Sequence, residues 1–152
     1  LGKGYSMTRF ILPITLSALC VSTLAVAHTG VQNPAVLARM ESMKVTQDST
    51  KVLGAMVKGD VTFDAVIARA AAETIAKEAA RTKSLFEGQE TDPKSEALPT
   101  IWEDFDDFNA KSRDLYAVAT ALSVSLETEE ELRTGLSQIG DACKAWHEAY
   151  RE

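Results

Sequence analysis

The chain has 152 residues, 45% of them hydrophobic and 25% charged, with a net charge of −6. That length suits one small domain with its own core. The acidic balance argues against nucleic acid as a partner and favours steering toward a basic protein.

Met7 reads as the translation start, which sets Leu1 to Ser6 aside as upstream sequence. Arg9, the apolar run from Phe10 to Val26 and the small-x-small segment Ala25-Val26-Ala27 make a secretory signal peptide. Residues 1–27 are then the leader, and 28–152 the single domain. The run is short, and Pro13, Thr15, Ser17, Ser22 and Thr23 interrupt it, so no stable membrane insertion is expected after cleavage. Export to a periplasm, an oxidising compartment, is the expected location. Loss of Lys3 and Arg9 takes the charge from −6 to −8, and loss of Cys20 leaves Cys143 as the one cysteine. No internal disulfide is expected. An unpaired exported cysteine is linked to another chain, reactive, or bonded to something else. Cleavage after Ala27 also makes His28 the first residue, where amine and imidazole together can bind copper(II).

Four helices follow in chain order. The first covers about 33–57, with Pro34 in an early position and Gly59 as the stop. Its apolar residues include Val36, Met40, Met43, Leu53 and Met56, interrupted by Gln47 and Thr50. The second covers about 63–86, with Thr62 as cap, Gly88 as stop, and Phe63, Val66, Ile67 and Ala70 as its apolar face. The polar connector "EGQETDPKSEALPTIW" reads as a loop pinned to the core by Ile101 and Trp102. The third helix covers about 103–126, where Phe105, Phe108, Ser112, Leu115, Ala119, Leu122 and Leu126 alternate spacings of three and four. The fourth covers about 129–151, opened by a Thr128/Glu131 capping box. Its seam is Leu132, Leu136, Ile139, Cys143, Trp146 and Tyr150. Four such helices with one longer connector imply an all-α, antiparallel up-down-up-down four-helix bundle.

The last seam carries the chemistry. Cys143, Trp146 and His147 stand at i, i+3 and i+4 and share the inward side of one helix, with Arg151 a turn further on. A cofactor held there lies inside the bundle, near the chain end. The spacing is that of a Cys-x-x-Cys-His haem site whose second cysteine is Trp146. Neutral imidazole is a good iron ligand; Cys143 with His147 is also a candidate copper pair. The plainer readings are a small buried apolar side chain for Cys143 and a flexible core residue for Met43. The acidic runs "EDFDD" and "ETEEE" read as solvated helix starts favoured by the helix dipole. With two histidines in the chain, no Gly-rich phosphate loop and no zinc spacing, a carrier or binding protein is expected rather than an enzyme.

Several stretches resemble the class II cytochromes c, the cytochrome c′ group. They are Arg39 followed four residues on by Met43; "MVKGDVTFD", with Lys58, Gly59 and Phe63; "LPTIW"; and "IGDACKAWHEAYR", similar throughout except at Trp146. The resemblance covers about 33–152. It implies haem held between the helices near one end of the bundle, with His147 as iron ligand and at most one thioether, at Cys143, or no covalent bond. It implies propionate or ligand-side roles for Arg39 and Arg151, and haem-wall or core positions for Phe63 and Trp102. "RMESMK" resembles the low-spin branch of the group, in which Met43 would be the second iron ligand. Electron transfer or diatomic-gas binding, a redox partner protein and a two-fold homodimer are the functions and partners implied. The rival expectation is a haem-free bundle of the same fold serving as a binding or structural module.

Overall fold

The computed structural model describes Gly2 and residues 30–152. The expectations for Met7, Cys20, the cleavage site and His28 lie outside the described residues. The described elements are α1 (Pro34–Lys58), α2 (Ala65–Leu85), the single turn α3 (Thr100–Glu103), α4 (Phe105–Ser125) and α5 (Glu129–Tyr150). The four long helices form an antiparallel bundle in which α1 packs on α2, α2 on α4, α4 on α5, and α5 back on α1. No described helix is long and apolar enough to cross a membrane.

Local chemistry sets the ends. The Asn33 side chain accepts from the Ala35 and Val36 amides at 2.9 and 3.2 Å, with Pro34 just inside α1. Gly59 closes that helix at φ +77°, a left-handed conformation that glycine adopts without strain. Thr128 and Glu131 make the expected reciprocal capping box on α5.

The seams predicted for α4 and α5 are the buried or half-buried faces of those helices. The second helix differs. Asp64, not Thr62, caps it by accepting from the Val66 and Ile67 amides. The helix ends at Leu85, with Phe86 rather than Gly88 in the capping position. Its inward face is Ala68, Ala71, Ala72, Ile75, Ala76 and Ala79. Val66 and Ile67, predicted to face inward, are 67% and 51% exposed, and Ala70 is exposed too. The start at Asp64 sets the phase, and alanines at 3–4 spacing let neighbouring backbones come close.

The connector also departs from a plain loop. Pro99, already in helical conformation, starts the turn α3, which buries Ile101. The turn stops at Asp104, whose side chain then caps α4 by accepting from the Asp107 amide. The third long helix therefore begins at Phe105, not at 103. Two clusters fill the interior. One runs between the long helices around Leu53, Ile75, Leu132 and Ile139. The other is aromatic and gathers Phe86, Ile101, Phe108 and Tyr150.

Candidate functional site

At the end where α1 starts and α5 finishes, the bundle opens into a cleft of about 410 Å³. Met43 and Val36 from α1, Phe86 beyond α2, and Trp146 and His147 from α5 form its walls. Connector residues 94–97 lie across its mouth with Arg151. A smaller cavity of about 40 Å³ holds Cys143 on its wall. Met43, Trp146 and His147 line both spaces and so form the partition between them.

His147 is half-buried. Burial first, and the charge of Arg151 second, push its pKa below 6.5, with Glu96 opposing them. The imidazole is therefore neutral at pH 7, with a lone pair free for a metal. The sign of the linkage follows. Below pH 6.5 the unfolded chain takes up this proton more readily than the folded one, so stability falls as pH drops. Thermal midpoints of the haem-free protein between pH 7.5 and 5.5 should decline, and His147→Gln should flatten the decline. An unchanged slope in the variant would place the titration elsewhere.

Cys143 carries a free thiol whose pKa burial raises, so it stays protonated. Trp146 packs on Phe108 at 5.1 Å and on His147 at 5.5 Å between ring centroids, and edge-on to Phe86 at 6.4 Å. Its Nε1–H is buried without a hydrogen-bond partner among the described residues. Such a group is costly and marks packing that another arrangement would improve.

Arg39 lines the cleft and has a structural task besides the role the resemblance implies. It is 3% exposed. Its guanidinium donates to the carbonyls of Leu85 at 2.8 Å, Gly88 at 2.7 Å and Glu90 at 2.7 Å, and to the Glu90 carboxylate at 3.3 Å. It also lies over the rings of Phe86 at 4.5 Å and Trp102 at 5.5 Å. Arg39 thus moors the chain that leaves α2. Trp102 stands behind it, donating Nε1–H to the Phe86 carbonyl at 2.8 Å, and does not line the cleft. Phe63 packs on the cluster between the long helices, beyond the opposite end of α2 from Phe86, and takes no part in the cleft. Arg151 reaches the cleft mouth but is ion-paired with Glu96. The structure brings Met43, Cys143, Trp146 and His147 together. It adds Phe86, Phe108 and Lys94, which no motif announced. Among the described residues no group of three or more His, Cys, Asp or Glu converges as a metal site.

Haem is the group against which this donor set is to be judged. The cleft volume is in the range of cofactor sites, and its deep wall is apolar and aromatic. An imidazole and a thioether, both iron ligands, line the same space. Trp146 stands three residues after Cys143, and Cys143 is the one thiol on the walls of the two spaces. The residues present fit iron ligation and fit one thioether at most.

A ligand-lined slot inside one end of an antiparallel four-helix bundle is the architecture of a helical-bundle cytochrome. The chain belongs to the family described as Cytochrome C′, whose model matches residues 34–151. It is 33% identical over 143 residues to cytochrome c′ of Rhodopseudomonas palustris, covering 90% of this chain and 93% of that one. It is 38% identical over 111 residues to cytochrome c-556 of Agrobacterium fabrum, covering 72% and 75%. The solved structure of the Rhodopseudomonas palustris cytochrome c′ aligns with a TM-score of 0.74 at 29% identity, over 80% of this chain and 98% of that one. Proteins of this family bind haem.

Proposed function

We propose that the protein is an exported electron carrier in which His147 and Met43 hold haem iron, with Cys143 supplying the one thioether. The observation that carries this reading is that an imidazole and a thioether line the same cleft at one end of a bundle of this family. Bound haem supplies an iron that takes up and releases one electron. The chain's own part is to bind and shield it. Neutral His147 would hold the iron by its lone pair, Met43 would offer a soft sulfur that favours reduced iron, and Phe86 and Phe108 would keep water from the ring. Exposed acids at 103–107 and 127–131 give a surface suited to a basic redox partner. Val61, Val66 and Ile67, exposed together about the start of α2, favour a two-fold dimer.

The test is the visible spectrum of protein purified from a periplasmic fraction. Wild type is expected to be six-coordinate and low-spin, and Met43→Ala to turn it high-spin and reactive to carbon monoxide. A wild-type spectrum that is already high-spin, and unmoved by Met43→Ala, would overturn Met43 ligation and move the function to gas binding. One observation favours a second reading, a haem-free bundle: the Trp146 indole already packs into the aromatic wall. A colourless, cooperatively folded protein from a host that matures other cytochromes c is its signature.

A further inference from the structure

The chain as a whole is acidic, with 22 Asp and Glu against 16 Lys and Arg. Around the cleft the sign is reversed. Arg39, Lys44, Lys94 and Arg151 line it against one carboxylate, Glu96. Three of these cations are already engaged: Arg39 with Glu90 and the carbonyls it moors, Lys44 with Asp48, and Arg151 with Glu96. Lys94 has no ion pair among the described residues.

The segment that carries Lys94 is fixed at both ends. At one end the Asp92 carboxylate accepts from the amides of Gln32 at 2.9 Å and Asn33 at 3.1 Å, and also from the Lys94 amide at 2.9 Å. At the other end Ala97 and Arg151 form an isolated antiparallel bridge. The Leu98 amide donates to the Tyr150 carbonyl, and the Glu152 amide to the Glu96 carbonyl, each at 3.0 Å. The Lys94 stem runs alongside Gly30, with its Cε 3.6 Å from where a β-carbon at Gly30 would stand. A flexible side chain is thus carried on a pre-set strap across the cleft mouth, its charge felt by Asp92 but held in no contact ion pair among the described residues. Holding the backbone lowers the ordering cost of making a new ion pair there.

We propose that Lys94 is the positioning residue for a carboxylate of the ring bound in the cleft. The cleft therefore selects a flat apolar tetrapyrrole that carries anionic groups at one edge over the same ring without them. This rests on the haem reading and adds what that reading lacks. Of the two cations which the resemblance offers for the carboxylates, Arg39 holds the chain beyond α2 and Arg151 is paired with Glu96, which leaves Lys94 as the cleft cation outside any contact ion pair among the described residues.

The probes are metal-free protoporphyrin IX, which has two carboxylates, and its dimethyl ester, the same ring without them. Each is titrated into the haem-free full chain, and binding is followed by quenching of Trp102 and Trp146 fluorescence. Wild type should bind the diacid more tightly than the ester, with the preference shrinking as salt rises. Lys94→Gln should weaken diacid binding about three- to five-fold, the scale of a solvent-exposed ion pair, and leave the ester unchanged. Lys94→Arg should restore the preference. Lys83→Gln, which removes a cation outside the cleft lining, should do nothing. Equal affinity of wild type and Lys94→Gln for the diacid would overturn the inference and leave the haem reading standing. Failure of wild type to bind either probe would overturn both.

Discussion

Trp146→Cys, made in a host with cytochrome c maturation, is expected to shift the alkaline pyridine haemochrome band to shorter wavelength than wild type, as a second thioether consumes the vinyl group that a single thioether leaves free. Every other part of the attachment motif is present, with Cys143 three residues before the substituted position and His147 one after. The indole now stands in the partition between the main cleft and the cavity at Cys143. Replacing it with a thiol merges the two spaces and supplies the second sulfur on the same helix face. The haem-free form should move the other way. Truncating a half-buried tryptophan costs contacts, and losing its unpartnered N–H returns part of that, for a net destabilisation of about 2 kcal/mol. The pyridine haemochrome spectrum of the loaded form and a thermal melt of the haem-free form check the two signs. If the variant's band stays at the wild-type position while a two-cysteine control cytochrome from the same host shows the shorter-wavelength one, the site has diverged beyond this residue.

Arg39→Met is expected to destabilise the haem-free protein by about 2–4 kcal/mol, because charge-assisted bonds to three carbonyls and the contacts with Phe86 and Trp102 go together. The melting temperature should fall by on the order of 10 °C. Arg39→Lys should recover little, since a single ammonium cannot span three carbonyls that a planar fork reaches at once. Proteolysis near Gly88 should speed up in both variants as the moored segment loosens. Were Arg39 instead a partner for the cofactor's carboxylates, the haem-free melt would not change and only the loaded protein would suffer.

The two helices nearest the C-terminus were legible because large apolar residues alternate there at three and four, from Phe105 to Leu126 and from Leu132 to Tyr150. The second helix was not. Its packing face is nearly all alanine, which differs little in hydropathy from its surroundings, while Val66 and Ile67 advertise a face that solvent occupies. The cluster of His147, Cys143 and Trp146 was visible because one helix carries it in consecutive turns. Met43 was visible only by its distance from Arg39. The part of Arg39 itself was hidden, since periodicity treats a charge as surface and cannot see carbonyls 46 to 51 residues away. Lys94 was hidden for a similar reason: nothing local marks a polar connector as a strap.

The pairing of that strap with residues 150–152 also bears on the order of assembly. The helices form from neighbours in the chain, whereas the bridge joins segments more than fifty residues apart. Contacts of high sequence separation repay their loop-closure entropy last. The wall pair Met43 and His147 lies more than a hundred residues apart, about twice the span of the clasp, so the clasp closes the shorter loop. By this measure the strap joins the end of α5 before α1 completes the cleft, and Ala97 and Arg151 narrow the mouth from the moment the walls meet.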